Sequence, residues 1–245
     1  MARRLIDRIR GLLPGGGRPV HPLIVRNRQR FGAGIDEGGP LADYEFVALD
    51  TELTGFSAQD EIVAIGAVRI KNQRILCGET FHALARPQAR FQTKSTLVHR
   101  LTPQELRQAA GLAEVLPRFV EFCGDALLVG HFLRLDLEFL NRAARRLMGG
   151  VLVTPYLDTL GLALRYREFC QGGGGECAAN ADYHLSALAA EYALPAFPAH
   201  NALQDALQTA YLFLFLAGKL QRHGVRTLGD FLKAGQRFNQ PWWSM

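Results

Sequence analysis

The sequence predicts an α/β domain built on a mixed sheet. Three observations carry this. Three apolar segments follow one another at short intervals early in the body. The apolar period then changes at Thr102 and alternates between helical stretches and short apolar runs. The body closes on helical segments with no further strand.

Residues 44–50 read as a strand that ends on an acid, Asp50. Residues 61–70 form a second strand through Ile62, Val63, Ile65, Val68 and Ile70, and residues 74–84 a third. The connections are short, as in an antiparallel meander. Thr102-Pro103-Gln104-Glu105 combines an N-cap, a proline in the first turn and a glutamate three residues after the cap. It opens a helix over residues 102–122 with a break expected at Gly111. Residues 126–130 are a short apolar run, hence a buried strand. Residues 136–148 are helical through Leu137, Phe139, Leu140, Ala143, Ala144 and Leu147. Residues 151–154 are expected to form the last strand, and Asp158-Thr159 to open another helix. Residues 171–180, with four consecutive glycines, read as a flexible loop. Helices over 185–192 and 201–220 complete the body.

Composition narrows the classes. With 245 residues and 48% hydrophobic content, the chain can bury a full core, which excludes wholesale disorder. No apolar run is long enough for a transmembrane helix. The four cysteines form neither a disulfide framework nor a C-x-x-C pair, which argues against a secreted scaffold and a structural zinc. Without a secretory signal, a cytoplasmic location is expected. The net charge of +5 is unevenly placed. Residues 1–31 hold eight arginines and one acid, Asp7, so they carry +7 and leave −2 for the rest. Leu5, Ile6, Ile9, Leu12 and Leu13 recur there at helical spacing, which suggests a short amphipathic helix ending at Pro14. A solvated tail, a phosphate-contacting arm and a docking helix for a partner protein all fit this segment. The chain therefore divides into a basic extension and linker (1–42), a body (43–220) and a C-terminal extension (221–245) that carries both tryptophans.

Four acids stand where chemistry is expected. Asp50 and Glu52 flank Thr51 at the end of an apolar strand, and alternation puts both on one side. Neighbouring carboxylates repel, and a cation between them lets both stay ionised. Asp136 follows the strand at 126–130 and opens a helix. Asp205 lies in a strongly apolar helix. Taken singly, each has an ordinary explanation: a helix N-terminal acid, a solvent-facing residue or a turn.

Together they resemble the DEDDh branch of the DEDD 3′–5′ exonucleases, with the look of bacterial proofreading subunits. Phe46-Val47-Ala48-Leu49-Asp50-Thr51-Glu52-Leu53-Thr54-Gly55 is similar to the family's strand ending in D-x-E-x-T-G. Gly130-His131-Phe132-Leu133-Arg134-Leu135-Asp136 is similar to its G-H-N-x-x-F-D, with Phe132 in place of Asn and Leu135 in place of Phe. His200-Asn201-Ala202-Leu203-Gln204-Asp205-Ala206 is similar to its H-x-A-x-x-D-A. His99-Arg100-Leu101-Thr102 and Asp158-Thr159-Leu160 resemble two further family signatures. The likeness spans residues 43–218. It implies a ribonuclease H-like fold, a five-stranded mixed sheet of order 3-2-1-4-5 flanked by helices.

The resemblance also implies a two-cation site, Mg²⁺ or Mn²⁺, with Asp50, Glu52, Asp136 and Asp205 as ligands and His200 as general base. Thr51, Leu53, Thr54, His131 and Phe132 are the expected substrate contacts. Leu53 either wedges against the last base or fills a gap in the packing, and Phe56 lies in the same segment. For His131 the residues favour a core histidine that pins its loop over a substrate contact. The implied substrate is DNA with single-stranded or frayed 3′ ends, processed in proofreading or repair. RNA trimming on the same site, and a non-catalytic binding module on the same scaffold, are the alternatives.

Overall fold

The computed structural model describes residues 19–88, 101–172 and 182–235. The helix expected from Leu5 to Leu13, His99, most of the glycine-rich loop and both tryptophans lie outside the described residues. The strands are β1 (Phe46–Leu53), β2 (Ile62–Lys71), β3 (Arg74–Arg86), β4 (Ala110–Gly111), β5 (Leu127–Gly130) and β6 (Tyr156–Asp158). The helices are α1 (Pro22–Phe31), α2 (Pro103–Gln108), α3 (Leu112–Cys123), α4 (Leu133–Met148), α5 (Thr159–Gly172), α6 (Leu185–Glu191), α7 (Ala202–Arg222) and α8 (Leu228–Gly235). The sheet order is β4-β3-β2-β1-β5-β6. β1, β2 and β3 form the antiparallel meander, while β5 and β6 run parallel to β1.

The five-stranded expectation gains a sixth strand at one edge. The break at Gly111 divides the expected 102–122 helix, and Ala110 and Gly111 pair in parallel with Ala85 and Arg86. Thr102 caps α2 reciprocally with Glu105, as its sequence predicts. The last strand is displaced from its expected place at 151–154 to Tyr156–Asp158. Side chains intercept the earlier backbone: Leu152 N–H donates to Asn141 Oδ1 (2.9 Å) and Val153 N–H to Asn27 Oδ1 (2.8 Å). Pro155 has no N–H, and the ladder to β5 begins at its carbonyl.

Alternation along β1 sorts its side chains between two cores. Val47, Leu49 and Leu53 join α3 and α4 on one face. Phe46 and Ala48 join α5, α7 and α8 on the other. Parts of the two segments expected to extend from the body, residues 22–31 and 228–235, also enter these cores. Ile24 of α1 is fully buried in the first, and Leu228 and Phe231 of α8 are fully buried in the second. His21 N–H donates to the Met148 carbonyl at 2.8 Å, which fixes α1 against the end of α4. Leu228 and Gly229 N–H donate to the Gly39 and Glu37 carbonyls, both at 2.9 Å.

Candidate active site

β1 outlasts its parallel neighbour. Its pairing with β5 ends at Ala48–Val129, while its pairing with β2 continues to Leu53–Ile62. A crevice therefore opens beside residues 49–53, outside the carboxyl ends of the parallel strands. In open α/β sheets this is the place where ligands bind.

Asp50 and Glu52 lie on the α7 face of β1. Asp205, in the first turn of α7, meets them there. Carboxylate oxygens of Asp50, Glu52 and Asp205 all lie within 4.8 Å of one another. Glu52 is 6% exposed. Burial first, and then the charges of Asp136, Glu52 and Asp205, raise the Asp50 carboxyl well above its ordinary range. Asp205 is raised by burial and by Glu52. Three hard oxygen donors gathered this closely fit a small divalent cation.

Asp205 is also tied to its own helix start. Its Oδ2 accepts from His200 N–H (2.9 Å) and Asn201 N–H (3.2 Å). Asn201 caps α7 through its side-chain oxygen, which accepts from Gln204 N–H. His200 takes a left-handed backbone, φ 67°, and its side chain is exposed beside this turn. One tight turn thus places the histidine and the third carboxylate together.

Asp136 approaches from the other side. It is 7% exposed, and its Oδ1 accepts from Thr51 N–H (3.0 Å) and Thr51 Oγ1 (2.5 Å). Burial raises its carboxyl to about 7, against the opposing effect of these bonds. Thr51 therefore holds a carboxylate, with its side chain buried. Leu53 is only 5% exposed and packs in the first core, which supports the gap-filling reading of this residue. Phe56, three residues on, is 67% exposed beyond the end of β1. Thr54 has its hydroxyl on Asp60 Oδ1 (2.8 Å) and accepts from Glu61 N–H (3.0 Å), which shapes the β1–β2 loop.

His131 is a tie between segments. Its Nδ1 lies 2.8 Å from Thr159 Oγ1 and its Nε2 2.8 Å from the Tyr183 carbonyl. Burial pushes its pKa down to about 4, so a neutral ring is held. Both ring nitrogens are used within the protein, which supports the pinning role and leaves neither for a substrate. Phe132 is half-buried with φ 55°, a left-handed conformation unusual for a bulky residue and better suited to Asn.

The sequence reading missed what holds that turn. The Asp158 carboxylate accepts from Phe132 N–H (3.1 Å), Leu133 N–H (2.9 Å) and Leu160 N–H (3.0 Å). It caps α4 from another strand and α5 from the preceding residue. Burial raises its carboxyl to about 6. The D-T-L signature marked the residue, but the bond to α4 joins positions 25 and 26 residues apart, which no local pattern displays.

The chain is similar to known proteins. The family model described as Exonuclease matches residues 47–213. A DNA polymerase III PolC-type protein of Thermotoga maritima is 31% identical over 86% of this chain and 14% of its own length. The chain thus spans about one seventh of that relative. A DNA polymerase III subunit epsilon of Aquifex aeolicus is 32% identical over 78% of this chain and 88% of its own length. Escherichia coli exonuclease I, solved in complex with a dT13 oligonucleotide, superposes with a TM-score of 0.63 at 19% identity, over 74% of this chain and 42% of that one. The family model covers more than half of the chain, and the fold agrees: the chain belongs to the exonuclease family.

Proposed function

We propose that this chain is a divalent-cation-dependent 3′–5′ exonuclease that removes nucleotides from single-stranded or frayed 3′ ends of DNA. The observation that carries the reading is the Asp50–Glu52–Asp205 cluster at the crevice, with exposed His200 on the turn that anchors Asp205. Asp50, Glu52 and Asp205 would hold one Mg²⁺ or Mn²⁺, and Asp136 with Asp50 a second. When bound, such ions stabilise charge on the attacking and leaving oxygens at phosphorus.

The chain's own groups do the rest. His200 accepts the proton of the attacking water at an imidazole nitrogen. Water oxygen bonds to phosphorus and the bond to the 3′ oxygen breaks. A 5′-mononucleotide leaves, and a strand one unit shorter keeps a free 3′-hydroxyl. Phe56 offers an exposed ring for a terminal base, a contact tolerant of sequence. Phe132 lies on the turn before α4, where its apolar ring provides no partner for a 2′-hydroxyl. The relatives' names, a polymerase III subunit among them, support work alongside a DNA polymerase. The arginine-rich N-terminus is the segment proposed to meet a partner. Among the described residues no helix is long and apolar enough to cross a membrane.

The test is a labelled single-stranded DNA ladder and its RNA counterpart, each with Mg²⁺, Mn²⁺ or EDTA, beside an Asp50→Ala control. Stepwise shortening of DNA from the 3′ end, abolished by EDTA and by the substitution, is the expected result. Faster shortening of RNA would reassign the substrate. Binding without cleavage of either would leave a non-catalytic module.

A further inference from the structure

We propose that Gly66 is a positioning residue for the cation site: the bare strand at Gly66 sets the depth at which α7 seats, and so the reach of Asp205. The proposal rests on the cation reading above. Gly66 pairs directly with Asp50 across the β1–β2 ladder. A Cβ at Gly66 would lie 2.1 Å from the Ala202 carbonyl carbon and 2.2 Å from both the Ala202 oxygen and the Leu203 nitrogen. The first turn of α7 therefore rests on strand backbone, with no side chain between. Ala202 and Ala206, small and fully or almost fully buried, lie one turn apart at this end of the helix.

The contact is rigid on both sides. The atoms a Cβ would strike are helix backbone, so no rotamer change at Ala202 or Leu203 relieves the overlap. Carbon atoms in contact settle about 3.5–4.0 Å apart, so any side chain at Gly66 lifts the start of α7 by about 1 Å or more. Asp205 lies three residues on, about 4.5 Å along the helix, and moves with it. So do His200 and Asn201, whose N–H groups bind its carboxylate. Mg²⁺ holds its oxygens at about 2.0–2.1 Å in near-ideal octahedral geometry, so a shift of that size removes one ligand from range. A purely structural glycine would instead lower stability and leave affinity for the cation alone.

The two are separated by calorimetric titration of the cation-free, full-length protein with MnCl₂, alongside thermal unfolding without cation. Gly66→Ala is compared with Leu220→Ala, a fully buried cavity change about 27 Å along the same helix from Ala202. Gly66→Ala is expected to weaken Mn²⁺ binding by about tenfold or more, within the range for residues that orient metal ligands. Leu220→Ala is expected to lower the melting temperature and leave the binding constant unchanged. Wild-type affinity in Gly66→Ala would overturn the proposal, as would equal weakening in both variants. No binding by the wild-type chain would instead overturn the cation reading, and this proposal with it. Should Gly66→Ala not fold, Ala206→Val widens the same seam one turn on and is read against the same outcomes.

Discussion

Asp50 and Asp136 are acids held in the folded chain with their protons favoured. Asp136 titrates near 7 when folded and near its ordinary 3.8 when unfolded. Between those values the folded cation-free protein binds protons that the unfolded chain has released. Its stability therefore falls as pH rises through that window, by an amount on the order of a few kcal/mol for so buried a group. A divalent cation displaces those protons and removes the penalty. Thermal unfolding with and without saturating Mg²⁺ is expected to show a stabilisation that grows from about pH 5 to about pH 8. A shift independent of pH would mean that the carboxylates are already ionised at about pH 5 and that no protons are displaced. His200 gives a second residue-scale prediction. Its replacement by Gln keeps the left-handed turn and the N–H bond to Asp205 but removes the base, so kcat should fall by about 10²–10⁴-fold with little change in stability. A loss below tenfold, measured on single-stranded DNA at saturating cation, would remove His200 from the proton-transfer role.

Turns that join elements decide where the acids stand. The Asp158 carboxylate serves the starts of α4 and α5 at once, and the strained Phe132 backbone depends on it. Asp158→Ala leaves three N–H groups without their acceptor, and is expected to cost about 1–3 kcal/mol and to lower kcat by displacing Asp136. Urea unfolding and cleavage rates measured together check this: lost stability with an unchanged kcat would mean that α4 keeps its place without the cap. This is also where the sequence was least legible. Strand β1, its paired acids and the capped start of α2 were readable because alternation and capping are local patterns. Leu53 could be read two ways, and its parity along β1, shared with Val47 and Leu49, carries it into the α3–α4 core. The last strand was misplaced because Asn27 and Asn141, distant in sequence, take the N–H groups at 152 and 153. Helix α1 escaped notice because it buries only Ile24, Asn27 and Phe31 among its arginines.

At the scale of the whole molecule, the family match ends before the folded unit does. It covers residues 47–213, yet α1 and α8 lie outside it and close the two cores from opposite ends of the chain. α1 inserts Ile24 against the α3–α4 layer, and Asn27 bridges to Val153 N–H and Thr154 Oγ1. α8 inserts Phe231 beside α5 and α7, and its first turn is bonded to residues 37 and 39. Gly161 and Gly235 meet so closely that a Cβ on Gly161 would lie 2.3 Å from the Gly235 carbonyl oxygen, which fixes α8 against α5. A chain cut to residues 43–220 therefore exposes apolar surface on both sheet faces at once. Phe231→Ala alone is expected to cost about 3–5 kcal/mol and Ile24→Ala about 2–5 kcal/mol, since each empties a fully buried site. The two sites lie in separate cores, so their costs should add within about 0.5 kcal/mol in the double variant. Urea unfolding of the single and double variants, beside the 43–220 segment, measures this directly. Wild-type stability in that segment would make both helices appendages of a body that folds without them; loss of its cooperative transition would make them part of the unit that holds Asp50, Glu52 and Asp205 in place.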